Sequence, residues 1–246
     1  MSVTATERAT LGYGLGKEVP GALAGAQVRS DRALDRFARI GLWALPVYGL
    51  ANFIGTLSSQ PDYNKNFPAY ARYIRTPQFL ASHLVASMLG TAIGLLGFTA
   101  LFVYLTRGRR PGVAVSAFVL TVVGNMGLVA LFGVAAFAQR AIGKAFLAGH
   151  HDVVSLNKSV YGTAANATAG VGLGLFFIGM ILFAIAASRS LPRAAGVLLA
   201  VWLPVFAIGS ITGNALDKIG SILLIGAASW IAWSVWRTGL TVDRES

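Results

Sequence analysis

Six apolar stretches, each long enough to cross a bilayer and free of internal Asp, Glu, Lys or Arg, constrain this chain more than anything else in it. A hydrocarbon core about 30 Å thick takes roughly 20 apolar residues of helix. The stretches run from about Arg39 to Thr56, Pro77 to Leu105, Gly112 to Gln139, Tyr161 to Ala187, Arg193 to Gly213 and Lys218 to Trp236. Strands of a membrane barrel alternate apolar and polar residues over about ten positions, whereas these runs stay apolar. The expected fold class is all-α: a polytopic transmembrane bundle of six spans.

Charge enters only between the spans. Just 12% of residues are charged, about half the ~25% of a soluble domain, and the net charge is +11. In a soluble protein that excess would suggest nucleic-acid binding. Here the positive residues sit in the loops, where topology rules place them, so the expected partner is the lipid bilayer and not nucleic acid. The absence of cysteine excludes disulfides, thiolate metal sites and redox Cys pairs.

Orientation follows from Lys and Arg near the span ends. One side collects Arg29, Arg32, Arg36, Arg39, Arg107, Arg109, Arg110, Arg189, Arg193, Arg237 and Arg244. The other holds Lys65, Arg72, Arg75, Arg140, Lys144, Lys158 and Lys218, spread over longer loops. Both termini are therefore expected in the cytoplasm of a bacterium, the chain lying in its inner membrane. Residues 1–28, rich in Gly, Ala and Thr, read as a disordered cytoplasmic tail. Residues 29–38 read as a short amphipathic segment on the inner surface or an extension of span one. Residues 39–237 form the membrane domain, and 238–246 a second tail.

Prolines and glycines punctuate the spans. Pro111 and Pro192 open spans three and five. Pro46 and Pro204 are expected to kink spans one and five. The pairs Gly170/Gly174, Gly209/Gly213 and Gly196/Ala200 should permit close helix approach, as should Ala86, Gly90, Gly94 and Gly97 on span two. Spans two and four both end on Gly and Arg ten residues apart, followed by Pro, which suggests a repeated inner hairpin.

Catalytic motifs are missing: no GxSxG, HExxH or phosphate-binding loop occurs, and no carboxylate lies inside a span. No cofactor is expected. What polarity the spans contain lies near one depth. Asn52, His83 and Asn166 sit below the outer ends of spans one, two and four, and Asn214 and Asp217 mark the outer turn between five and six. Asn125 is nearer mid-membrane. Ser87 and Thr91 follow His83 on one helical face. These residues are expected to line an outward polar vestibule, with His83, Ser87, Asn52, Asn125, Asn166 and Asp217 as candidate ligand-binding groups; interhelical hydrogen bonding is the alternative role. His83 with His150, His151 and Asp152 forms a weak candidate metal site. The outer loop from Leu57 to Thr76 carries Tyr70, Tyr73 and Ile74 at helical spacing, as a lid or an anchor.

The runs PQFLASHLVASMLGTAIGLLGFTALFVYL, VVGNMGLVALFGVAAFAQRAIGKAFLAG and LPRAAGVLLAVWLPVFAIG resemble a group of small bacterial multi-pass membrane proteins carrying a domain of unknown function. That resemblance spans roughly residues 40–237 and implies fold and compartment only. The leading functional expectation is a non-enzymatic membrane protein that binds a small molecule or lipid, or serves as an accessory subunit, with a membrane-protein partner or a second copy. The alternatives are a small-solute transporter or channel, and a metal- or haem-dependent membrane oxidoreductase.

Overall fold

The computed structural model describes residues 20–57, 60–188, 190–213 and 215–242. These are helical almost throughout, and no strand occurs among them. The elements are α1 (Pro20–Gly41), α2 (Ala44–Gly55), α3 (Phe67–Tyr73), α4 (Pro77–Leu80), α5 (Gly90–Thr106), α6 (Pro111–Val134), α7 (Arg140–Leu147), α8 (Val153–Val160), α9 (Thr163–Ala187), α10 (Arg193–Thr212) and α11 (Leu216–Val242). Two π-helical segments, Ala81–Leu89 and Ala135–Gln139, join α4 to α5 and α6 to α7.

Six helical runs are long and apolar enough to cross a membrane: Ser30–Gly55, Pro77–Thr106, Pro111–Leu147, Val153–Ala187, Arg193–Thr212 and Leu216–Thr238. Several are longer than the hydropathy pattern indicates. Helix α1 begins at Pro20, so positions 20–28 are helical and not part of a disordered tail; residues 1–19 and 243–246 lie outside the described residues. The segment 29–38 continues toward the first span as its extension. The break falls at Leu42 and Trp43, which places Pro46 in the first turn of α2, where a missing N–H costs nothing. Pro204 does lie inside α10.

Thr76 and Pro77 start the second span in a way the local sequence dictates. The Thr76 hydroxyl accepts from the Phe79 N–H at 3.2 Å, while proline occupies a position that needs no donor. Asn66 caps α3 likewise, accepting from the Ala69 N–H at 3.0 Å. Gly213 ends α10 in the left-handed conformation (φ 66°), and its N–H returns to the Gly209 carbonyl at 2.8 Å. That cap lets the chain reverse into α11.

Helices α2, α5, α6, α9, α10 and α11 pack successively on one another, and α11 returns to α2, closing a six-helix ring. One end, here the terminal face, carries α1 and the connections α5–α6 and α9–α10. The opposite cavity face carries α3, α7 and α8. In a bilayer the hydrophobic effect does little to draw helices together, so close van der Waals fit must do it. Glycine supplies the fit. A Cβ at Gly124 of α6 would lie 2.6 Å from the Gly172 carbonyl oxygen of α9, and one at Gly97 of α5 would lie 2.6 Å from Leu45 Cγ of α2. The expectation for Gly90, Gly94 and Gly97 holds, since Ala51, Tyr48 and Leu45 press on them. The one for Gly170 and Gly174 does not: a Cβ at either meets nothing within 4 Å.

On the terminal face Arg107 at the end of α5 forms an ion pair with Asp35 of α1, and its Nη2 donates to the Asp31 carbonyl at 3.3 Å. Both side chains are about two-fifths exposed (37% and 48%). Exposed pairs contribute ~0–1 kcal/mol. Asp35→Ala is therefore expected to lower stability by less than about 1 kcal/mol in detergent unfolding monitored by circular dichroism. A larger loss would mean that α1 is held mainly by this pair.

Candidate functional site

An aromatic cluster closes the middle of the ring. Tyr48 of α2 meets Phe98 of α5 and Trp202 of α10 edge-on, each at 6.1 Å between ring centroids. Phe176 of α9 joins Phe98 at 5.9 Å and Trp202 at 5.8 Å, while Phe98 and Phe183 stack at 5.9 Å. Edge-to-face pairs of this kind contribute about 0.5–1.5 kcal/mol each beyond simple burial. The cluster leaves the Trp202 Nε1–H buried without a hydrogen-bond acceptor. The cluster lies between the cavity face and the terminal face of the ring.

Above this floor, on the cavity face, lies a cavity of about 1030 Å³. Ligand pockets typically enclose ~300–1,000 Å³, so this one is large for its class. Its walls differ. Asn52 and Thr56 of α2 with Ser82, His83, Ser87 and Thr91 of the second span form a polar side; Leu173 and Phe176 of α9 with Trp202, Leu203 and Phe206 of α10 form an apolar one. Asn125 and Leu128 of α6, Ala207 and Ser210 of α10 and the Asp217–Lys218 pair of α11 also line it, and residues 60–63 rim the mouth.

Five of the six residues singled out in the sequence, Asn52, His83, Ser87, Asn125 and Asp217, thus line one space. Asn166 is not among them. It lies exposed on α9, its Nδ2 donating to the Tyr161 carbonyl at 2.8 Å. Asn214 lies outside the described residues.

Most of the polar wall spends its donors on its own helix. Asn52 Nδ2 donates to the Tyr48 carbonyl and Asn125 Nδ2 to the Thr121 carbonyl, both at 2.8 Å. The Ser87 hydroxyl reaches five residues back to the Ser82 carbonyl at 3.0 Å, a bond that the wide π-helical turn makes possible. His83 Nδ1 lies 3.0 Å from the Phe79 carbonyl, with its ring against the Phe79 ring at 4.1 Å. The Ser82 hydroxyl shares that nitrogen at 2.9 Å, so the ring's tautomer is set by which of the two partners it serves. What remains at the wall is mixed: Asn125 Oδ1 and the Asp217 carboxylate accept, while the Lys218 ammonium and the Trp202 Nε1–H donate.

The weak metal candidate is not assembled. Among the described residues no three His, Asp or Glu side chains come together as a metal site. The His151 ring packs edge-on against Phe146 at 4.8 Å, while His83 is held by Phe79. Haem held by two histidines lacks a second intramembrane His. The oxidoreductase reading loses its constellation.

The aromatic segment between spans one and two resolves as an anchor. Helix α3 packs on α7, with Ile74 against Gly143 and Phe67 against Phe146, ring centroids 4.8 Å apart. Tyr70 is fully buried there, and burial, with Tyr161 and Tyr63 close by, raises its phenol pKa. Among the described residues of that segment, Leu57 and Gln60 to Tyr63, all before α3, line the cavity. Sequence reasoning missed the aromatic floor: Phe176, Trp202 and Phe206 read simply as membrane apolar residues, and no local signal marks which of them face inward.

No family model, curated protein or solved structure matches the chain.

Proposed function

We propose that this is a non-enzymatic protein of the bacterial cytoplasmic membrane, both termini in the cytoplasm, which binds a small amphiphilic molecule in the cavity on its outer face. In this reading it belongs with the uncharacterised multi-pass proteins its sequence resembles, and it acts alone, as a homo-oligomer or as an accessory subunit. The observation that carries it is the two-sided cavity of about 1030 Å³ above a closed aromatic floor. Packed aromatic rings beneath the cavity support holding a ligand over conducting one. The arginine-rich terminal face supports the orientation.

The wall chemistry supports a class of ligand. The Asp62 and Asp217 carboxylates accept from a ligand bearing hydroxyl or ammonium donors, and Lys218 is the lining cation for an anionic group on the same ligand. Mass spectrometry of protein purified from its host membrane and then denatured is expected to release a bound organic molecule. Ser87→Phe, which fills the cavity from its polar wall, should lose that molecule with unchanged helix content. Equal recovery from the variant, or nothing from the unaltered chain, rejects the reading.

Transport is the second reading. It rests on the nine-residue π-helix Ala81–Leu89 beside the cavity, because π-helical turns are places where a helix can shift register. The aromatic floor would then be a gate. Under this reading His83→Ala changes solute uptake into proteoliposomes, while substitutions at lipid-facing Val123 do not.

A further inference from the structure

The six seams of the ring are unequal on the cavity face. Between α10 and α11, Gly209 backs onto Leu216 and Asp217, and Gly220 onto Phe206. Between α2 and the second span, Gly90 backs onto Ala51 and Gly55 onto Ala86. Between α6 and α9, Gly127 and Gly172 bring backbone to backbone. The seam between α9 and α10 behaves differently along its length. Asn166, Gly170, Leu173, Phe177 and Ala184 form one row on α9, spaced three, four or seven apart. At the terminal end of that row Ala184 packs at Gly196 of α10, its carbonyl oxygen 3.5 Å from where a Cβ would sit. At the middle Leu173 lines the cavity. At the cavity end Gly170 faces open space and Asn166 is exposed.

Helix α10 mirrors this. Leu203 is buried, Ala207 half-buried, and Ser210 and Ile211 exposed, Ile211 at 79%, although Ala207, Ser210 and Ile211 all line the cavity. The two helices touch at the terminal face, and toward the other Asn166, Gly170, Ser210 and Ile211 are exposed. Val171 and Ile208 on the same stretches are exposed apolar side chains, a surface that acyl chains cover in a bilayer.

Resting on the ligand-binding reading above, we propose that the α9–α10 seam is a lateral portal, through which the cavity takes a phospholipid of the leaflet on its own side. The donor-bearing head group lies against Asn125, His83, Ser87 and Asp217. The acyl chains trail out over Leu173 and Phe206 into the bilayer. The Asp62 and Asp217 carboxylates accept from an ammonium head group, with three N–H donors, and gain no such bond from a quaternary one, while Lys218 meets the phosphate.

Trp202 reports on this directly, since it forms the floor, is 1% exposed and is screened from lipid around the bundle. A variant with Trp43, Trp230, Trp233 and Trp236 changed to Phe keeps it as the single indole. In vesicles of phosphatidylethanolamine and phosphatidylglycerol, replacing the former with its chain-brominated analogue is expected to cause loss of Trp202 fluorescence. Brominated phosphatidylcholine should quench less. Gly170→Phe or Gly174→Phe, placed where nothing stands within 4 Å, should restore the emission with unchanged circular dichroism. Absence of quenching, quenching that neither variant relieves, or equal quenching by the two lipids overturns the proposal. If Ser87→Phe loses a bound molecule while Trp202 remains unquenched, the portal fails and the binding reading stands; if no molecule is bound either, both fail.

Discussion

Gly209→Ala is expected to be among the most disruptive single-methyl changes in the bundle, destabilising it by about 3 kcal/mol. The added Cβ would meet the Asp217 backbone nitrogen and lie 2.6 Å from the Leu216 carbonyl carbon. Neither can rotate aside, because both belong to the first turn of α11, which the left-handed cap at Gly213 holds against α10. Relief requires the α10–α11 hairpin to open, and that moves Asp217 and Lys218, the cavity lining on that side. Gly226→Ala is the matched control. It lies in α11 with nothing within 4 Å of the new methyl, so helix propensity alone should leave it neutral or up to ~1 kcal/mol more stable. Titration with a denaturing detergent, followed by far-ultraviolet circular dichroism, compares them. Equal midpoints would show that the close approach at Gly209 carries no weight.

The second large effect is at the floor. Trp202→Ala removes a ring that touches Tyr48, Phe176 and Phe206 and is expected to cost about 3–5 kcal/mol, as large-to-small core changes do. Its more specific consequence is a deeper cavity. Met180 lies one helical turn beyond Phe176 toward the terminal face and is fully buried. Since the native chain has no cysteine, Met180→Cys provides a lone reporter. With Trp202 present, a small water-soluble thiol reagent should not label it; with Trp202→Ala, labelling should appear. Labelling in both backgrounds would mean that the aromatic cluster is not the barrier, and labelling in neither that Phe98 and Phe183 close the gap alone.

Some of this was written in local residue chemistry. Charge-free runs of twenty apolar residues admit few solutions other than helices, and the punctuation at Pro77, Pro111 and Pro192 marks their starts. The depths of Asn52 and His83 near the outer ends of their spans, and of Asn125 nearer mid-membrane, could be counted along the chain, so their levels were legible. Their sharing of one cavity was not, because depth says nothing of azimuth. Asn166 illustrates the difference: it lies on the right span near the right end, yet it is exposed and does not line the cavity. Gly170 and Gly174 fail for the same reason, as a small-small pair permits close packing without supplying a neighbour, whereas Gly124 and Gly172, on different helices, do the packing.

The sequence by itself determined the medium, the number of crossings and the distribution of charge. Each follows from solvation free energies that are summed residue by residue along the chain. Only the tertiary structure decided which apolar side chains face one another, where the ring is sealed and where it parts. Those outcomes rest on van der Waals complementarity between helices, which falls off within an ångström or two and has no counterpart in the order of residues. The charge-free spans looked uniform in composition; folded, they are a sealed half and an open one, divided by five aromatic rings.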